Sequence, residues 1–582
     1  MLSVLGTWAI VTLLAFPIGF CGLQIITKRL HYEIRYLSSY IVAGLVFLTV
    51  YAQIFSLFSK VSAVAFFLLI PIALASFIFQ IKHIKEAFTK RRKPIIEWIL
   101  LFLGILLFSY ASSRGYMAYD TSLYHAQAIR WIEEYGVVKG LALFHFRLGY
   151  NSAAFALSAL FSFSWTGLQP MHCMAGYFLL LLFTPCIKLY EIVRFRKLRF
   201  SDFIRIGIFY YITLVLFEVV APASDFFATS MVFFLVYRYA TLTEEDTGIN
   251  ISLESDKNES NPESHVPYAL LSVLALYAIT LKFSAGLMVL IVIKPLITLI
   301  KEKKWLQIIG FISLGLIVLL PTLIRGYFIS GWPLYPSTML GFLHPDWQVP
   351  AELAARDAAE IKYWGQRIPE LGNYNATFTE WFPFWFKAES LPNKGFLILD
   401  AAGILLTFTA FPFFAFSGKL KEKDNKKRKL LLSLLLLSIT ISASFFLWFS
   451  AAPLVRYGYA FVILPGLCAL GFLYLLLPNK ASASSKIKGI ITVAVCLIFA
   501  AFILYKGVMV GKDAVSFIRY PYYFTAMPYE EYPTESYTFE NQTFYKPVSG
   551  DQTGYEKFPA GPYEFYYSLR GNTLKDGFTT KP

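Results

Sequence analysis

Stretches of roughly 17 to 25 apolar residues recur along this 582-residue chain, each long enough to cross a hydrocarbon core about 30 Å thick as a helix. About fourteen can be distinguished, beginning near residues 2, 38, 61, 95, 170, 203, 226, 267, 283, 306, 395, 429, 458 and 487. With 57% of residues hydrophobic and only 15% charged, soluble domains could not hide so much apolar surface, and lipid must serve as solvent. The expected fold is therefore an all-α polytopic membrane protein of about 14 transmembrane helices, with outward-facing amphipathic helices and an outward C-terminal tail.

The formal charge of +15 does not indicate nucleic acid, because the basic residues gather in short connections between apolar runs. Lys82, Lys85 and Lys90 to Lys93 form one cluster, Arg194 to Arg199 a second, Lys301 to Lys304 a third, and Lys419 to Lys429 the densest. Under the positive-inside rule these clusters face the cytoplasm. The spans then alternate only when the segment 152–164 does not cross, so it is expected to be interfacial or re-entrant. The first apolar run has no basic segment before it and is followed by Lys28 and Arg29, which predicts an uncleaved span with its N-terminus outward. The five cysteines lie in apolar runs without disulfide or zinc spacing, and no glycine-rich nucleotide loop is present.

Three N-terminal helices (1–94) precede a core (95–336) that carries the first outward loop, 113–169. A second large outward loop (337–394), C-terminal helices (395–507) and an aromatic-rich outward tail (508–582) follow. The acidic stretch 241–266 reads as a disordered cytoplasmic linker. In the first loop, Tyr124, Ala128, Trp131, Ile132 and Tyr135 share one side of a helix, predicting an interfacial helix with that stripe in lipid. A second amphipathic stretch runs from Pro350 to Trp364, followed by the aromatic cluster Trp381 to Phe386.

Ionisable residues at the outward ends of spans carry the functional information. Asp120 follows the fourth apolar run, and Asp225 opens a later one. Either could simply cap a helix. Lys282 interrupts an apolar stretch, Arg325 ends one and Arg456 opens another; each could serve as an interfacial anchor. Taken together, two carboxylates and three cations suit a lipid phosphate and a hydroxylated partner. Cations bind the phosphate and stabilise charge as it leaves, a carboxylate accepts the hydroxyl proton, and aromatic faces stack on sugars.

These features resemble the C-type glycosyltransferase superfamily, whose polytopic members transfer sugar from a polyprenyl-phosphate carrier on the non-cytoplasmic face. Asp120 resembles its first-loop aspartate and Asp225 its second outward aspartate. Leu281-Lys282-Phe283-Ser284-Ala285 is similar to its Thr-Lys-x-Ser-Ala segment, Arg325 with Gly331 to Pro336 to its Arg-Asn and Gly-Asn-Pro-x-x-Pro segment, and Arg456-Tyr457 to its late Arg-Tyr. The resemblance covers roughly residues 95–336 and then Arg456-Tyr457. It departs in three places: three extra spans come first, Arg325 lacks a following Asn, and Thr121 stands where a second acid would follow Asp120.

The resemblance implies an inverting glycosyltransferase of a bacterial cytoplasmic membrane, with its active site toward the periplasm or cell exterior. Asp120 would be the base or would position the acceptor hydroxyl, Asp225 would orient the acceptor or the sugar, and Lys282, Arg325 and Arg456 would hold the donor phosphate, with Tyr457, His125 and Arg147 as further substrate-binding residues. The donor would be a polyprenyl-phosphate-linked sugar and the acceptor an envelope glycan, lipid or protein. The resemblance makes no cofactor certain and leaves a divalent cation as a candidate. Alternatives are a polysaccharide polymerase or ligase, a transporter or flippase of lipid-linked sugars, and a superfamily member that has lost catalysis. The topology is checked by single-cysteine labelling in intact cells: residues near 90 and 425 should be protected from an impermeant reagent, and their reaction would reverse the assigned sidedness.

Overall fold

The computed structural model describes residues 1–90, 94–248, 264–368, 375–416, 425–477 and 482–581. Arg91 to Lys93, most of the acidic stretch 241–266, and Lys419 to Asp424 lie outside the described residues. The chain is mostly helical. Four long helices open it: α1 (Leu2–Arg29), α2 (Leu37–Phe58), α3 (Ala63–Lys90) and α4 (Ile95–Ser112). A π-helical turn, Thr121–His125, then runs into α5 (Ala126–Glu134), followed by α6 (Leu141–Phe144) and α7 (Ala153–Leu160). After α8 (Met174–Phe183) and α9 (Tyr190–Phe195) come α10 (Phe200–Val215), α11 (Ser224–Thr247) and α12 (Val266–Leu281). The 3-10 segment Phe283–Val292 leads into α13 (Ile293–Lys301), and α14 (Trp305–Ser330) follows. Then come α15 (Ala351–Gln366), α16 (Phe378–Ala388), α17 (Leu391–Phe408), α18 (Ala410–Phe416), α19 (Asn425–Ala451), α20 (Tyr459–Leu476) and α21 (Ser482–Ser516). The chain closes with two antiparallel strand pairs, β1 (Thr534–Phe539) with β2 (Gln542–Pro547) and β3 (Ser568–Leu569) with β4 (Phe578–Thr579).

Among the described residues, 12 helical segments are long and apolar enough to cross a membrane. The two other apolar runs form α10 and α12, of 16 residues each and about 24 Å long, shorter than the 12 segments long enough to cross. The bundle is organised around α11, whose apolar window is 100% buried, against 6% for α21. α11 packs on α8, α10, α12 and α19, whereas α3, α14 and α21 turn most of their apolar surface outward. α7 has only 8 residues, all buried, and packs on α2 and α5, so it is too short to span.

Three expectations are corrected. The stripe on α5 does not face lipid: Tyr124, Ala128, Trp131 and Ile132 are buried within the protein, with Trp131 against Phe144 and Phe558. The start of the acidic linker is ordered, because α11 continues to Thr247 and Arg35 pairs there with Glu245 and Asp246. The tail does not begin at 508, since α21 runs to Ser516, and it docks on the first loop through specific bonds. Gln127 donates to the carbonyls of Gly554 (3.0 Å) and Lys557 (2.8 Å), while Thr553 and Gly554 donate their amides to Ser122 O, each at 3.0 Å. Glu133 accepts from Tyr555 (2.6 Å) and pairs with His172 (2.9 Å) in a buried network. The N-terminal amine reaches Tyr522 O at 2.8 Å, so both ends of the chain gather at the end of the bundle that carries Asp120.

α1 and α2 cross at glycines: a Cβ on Gly44 would overlap the Ala15 carbonyl, and one on Gly19 would overlap the Tyr40 carbonyl. Small residues at such a crossing let backbones approach where lipid supplies no hydrophobic drive. Gly44→Val should destabilise the purified protein by about 1–3 kcal/mol or more. Gly22→Ala, which meets no atom within 4 Å, should leave the thermal unfolding curve unchanged.

Candidate functional site

Four helix ends meet at one level of the bundle, and each contributes one charged side chain. Asp120 lies just before the π-helical turn that follows α4, and Asp225 lies in the first turn of α11. Lys282 ends α12 in extended conformation at the apex of the α12 hairpin. Arg456 and Tyr457 belong to the 3-10 turn Val455–Tyr457 that joins α19 to α20. Neither aspartate makes a capping hydrogen bond. Instead Arg456 Nη2 donates to Asp120 Oδ2, and Lys282 Nζ donates to Asp225 Oδ1.

Tyr457 stands between these two ion pairs. Lys282 Nζ lies 4.1 Å from its ring centroid, the Arg456 guanidinium carbon lies 5.1 Å from it, and Arg456 Nη2 reaches its hydroxyl at 3.4 Å. Both cations thus contact one aromatic ring as well as a carboxylate. The aspartate side chains are 12% and 15% exposed, while Arg456 is 38% and Lys282 25% exposed. An anion entering the site would therefore meet the cations before the acids.

His125 lies beneath the pairs, buried, with its ring centroid 4.3 Å from that of Tyr124 and 5.4 Å from that of Phe155. Burial lowers its pKa to about 4, against the pull of Asp120 and Asp225, so the ring is neutral at pH 7. Burial alone would pull Arg147 down, but the neighbouring Tyr150, Tyr124 and Asp120 hold its guanidinium above its ordinary range. Arg147 carries no ion pair among the described residues. Burial raises the Tyr457 phenol, and the two aspartates add to it.

Seven of the eight sequence-derived candidates, Asp120, Asp225, His125, Arg147, Lys282, Arg456 and Tyr457, thus fall in one electrostatic neighbourhood. Arg325 does not join them. Its Nε donates to Asn151 Oδ1 at 3.0 Å and its Nη1 to Ser56 Oγ, and it is 1% exposed, so it ties α14 to α2 and the first loop. The structure adds Asp357 on α15, which accepts from the hydroxyls of Tyr150 and Tyr335, each at 3.0 Å, beside Arg147. Burial raises its carboxyl, while these two bonds oppose the rise. The sequence signal was a charge on an apolar stripe, since Leu353, Asp357 and Ile361 recur at i, i+4 and i+8.

The donors do not fit a divalent cation. Asp120 is followed by Thr121 and engaged by Arg456, and no group of three His, Cys, Asp or Glu among the described residues could hold a metal.

Residues 1–463, which include both ion pairs, match a family model described as Domain of unknown function (DUF8201). The chain belongs to that family. No curated protein and no solved structure matches it. The matched region of this DUF8201 member ends within α20, so the docked tail lies beyond it.

The neutral state of His125 has a pH consequence. Its folded pKa is lowered to about 4 from 6.5, so the stability that depends on its neutrality is present above pH 6.5 and is lost as pH falls toward 4. His125→Gln should remove this loss, worth on the order of 3 kcal/mol near pH 4. Thermal unfolding at pH 7 and 4.5 should show wild type losing more stability on acidification than the variant.

Proposed function

We propose that this protein is a membrane glycosyltransferase that moves a sugar from a polyprenyl-phosphate carrier to an acceptor hydroxyl on the non-cytoplasmic face of a bacterial cytoplasmic membrane. The observation that carries this reading is the pairing of two carboxylates with two cations across Tyr457 at the ends of four separate helices. The 12 long segments together with α10 and α12 would give fourteen spans, placing both termini and the site outward.

Asp120 accepts the proton of the acceptor hydroxyl as that oxygen bonds to the anomeric carbon and the bond to the carrier phosphate breaks. The new glycosidic bond inverts the anomeric configuration, and the carrier leaves as its phosphate. Arg456 and Lys282, the more exposed partners of the pairs, neutralise charge growing on that leaving group, at about 4 kcal/mol per close pair with an effective dielectric of 20. Arg147, free of an ion pair among the described residues, is available to the same phosphate. Asp225 holds Lys282 in place and orients the sugar or acceptor. Neutral His125 and the Tyr150, Tyr335 and Asp357 group offer hydrogen-bonding partners for sugar hydroxyls. The acceptor is an envelope glycan, lipid or protein, as polysaccharide biosynthesis requires.

Asp120→Asn keeps the size of the side chain and removes its basicity. With purified, inserted protein and a labelled polyprenyl-phosphate sugar, transfer should fall about 10²- to 10⁴-fold. Asp225→Asn should show a smaller loss. Near-normal transfer by Asp120→Asn would remove the base assignment and leave the Asp120–Arg456 pair as a structural contact.

A further inference from the structure

Arg238 lies on α11, thirteen residues after Asp225 and so roughly 20 Å along the helix, toward the end of the bundle away from the ion pairs. It is 6% exposed, and among the described residues no carboxylate pairs with it. Its Nη2 donates to Ser38 Oγ at 2.7 Å, its guanidinium carbon lies 3.6 Å from the ring centroid of Tyr36, and its Nε has no hydrogen-bond partner. Neighbouring cations differ: Arg35 pairs with Glu245, Arg199 with Glu191, and Arg205 with Asp202. Arg238 is thus held by one hydroxyl and by the rings of Tyr36, Phe234 and Tyr237, and a guanidinium at membrane depth with no counter-charge among the described residues and an unpartnered Nε marks a position open to an anion.

Such an anion has space. Arg238 borders a partly open cavity of about 2310 Å³ lined by α1, α2, α3, α4, α8, α9, α10 and α11. Toward the bilayer centre its wall is apolar, with Leu14, Leu74, Phe77, Leu101 and Leu181, and it becomes polar at Arg238, Tyr36 and Ser38, where the nearby carboxylates Glu245 and Glu191 are already neutralised by Arg35 and Arg199. α3, one of its walls, is 22% buried over its apolar window, so the cavity borders a helix that faces lipid.

We infer that this cavity binds a membrane lipid by its phosphate, with Arg238 as the charged donor and the hydrocarbon chain along the α3 and α4 wall. Guanidinium geometry suits two phosphate oxygens, and stacking on Tyr36 holds the fork in place. A soluble anion would leave the apolar wall unfilled, whereas a lipid satisfies both halves of the cavity. The inference concerns the opposite end of α11 and does not rest on the transfer reaction.

The test is native mass spectrometry of the whole protein in non-ionic detergent, titrated with dioleoyl phosphatidylglycerol, with dioleoyl phosphatidylcholine, and with inorganic phosphate. Arg238→Gln should weaken phosphatidylglycerol binding about tenfold or more, and Arg238→Lys should weaken it less. Leu101→Trp, which fills the apolar wall and keeps the charge, should weaken it similarly to Arg238→Gln. Unchanged phosphatidylglycerol affinity in both Arg238→Gln and Leu101→Trp would overturn the proposal. Arg238-dependent binding of inorganic phosphate at the affinity of the lipid would also overturn it, in favour of a soluble-anion site. Should Arg238→Gln fail to fold, Leu101→Trp alone decides: unchanged affinity overturns the lipid site, and a loss supports it.

Discussion

A charge inside a helix bundle bathed in lipid persists when another group compensates it, and this constraint orders the polar architecture of the protein. α11 illustrates it along its length. Asp225 at its first turn is matched by Lys282, and Glu245 and Asp246 near its last turn are matched by Arg35. The partners, Lys282 at the end of α12 and Arg35 in the connection between α1 and α2, lie outside α11, so the pairs fix how neighbouring segments sit as well as neutralising charge. Arg238, between them, is met by an aromatic face and a hydroxyl without a carboxylate.

The same logic explains why the first loop is buried. A helix bearing Gln127, Arg130 and Glu133 on one side and Trp131 and Ile132 on the other could have rested on a membrane surface. The tail supplies an alternative: its backbone carbonyls and Tyr555 satisfy the polar side, and Phe558 covers Trp131. Asp120 and the π-helical turn are thereby held between the bundle and the tail. The tail bonds to Ser122 O, two residues from Asp120, although the family match stops before it.

Much of the site was legible because span ends are recognisable from hydropathy, and a charge at such an end stands out against apolar neighbours. Asp120, Asp225, Lys282 and Arg456 were found in that way. The partners they take were not legible, because an aspartate before a helix fits a cap as well as an ion pair, and only the positions of the other helix ends choose. Arg325 shows the converse: a residue with the same sequence signature is absorbed by Asn151 and Ser56 because α14 ends against α2 and the first loop. Asp357 was hidden within an amphipathic helix whose stripe it joins, and its meaning depends on Tyr150, some 200 residues earlier.

The sequence by itself determined that the chain is a helical membrane protein, since runs of apolar residues leave the backbone no other way to satisfy its hydrogen bonds in hydrocarbon. It also determined which charges stand at span ends. Only the tertiary structure decided that Asp120 faces Arg456 while Asp225 faces Lys282, that Tyr457 separates them, and that the tail closes over the first loop. Hydropathy is a local property of a segment, whereas the pairing of helix ends depends on how helices remote in sequence pack around α11.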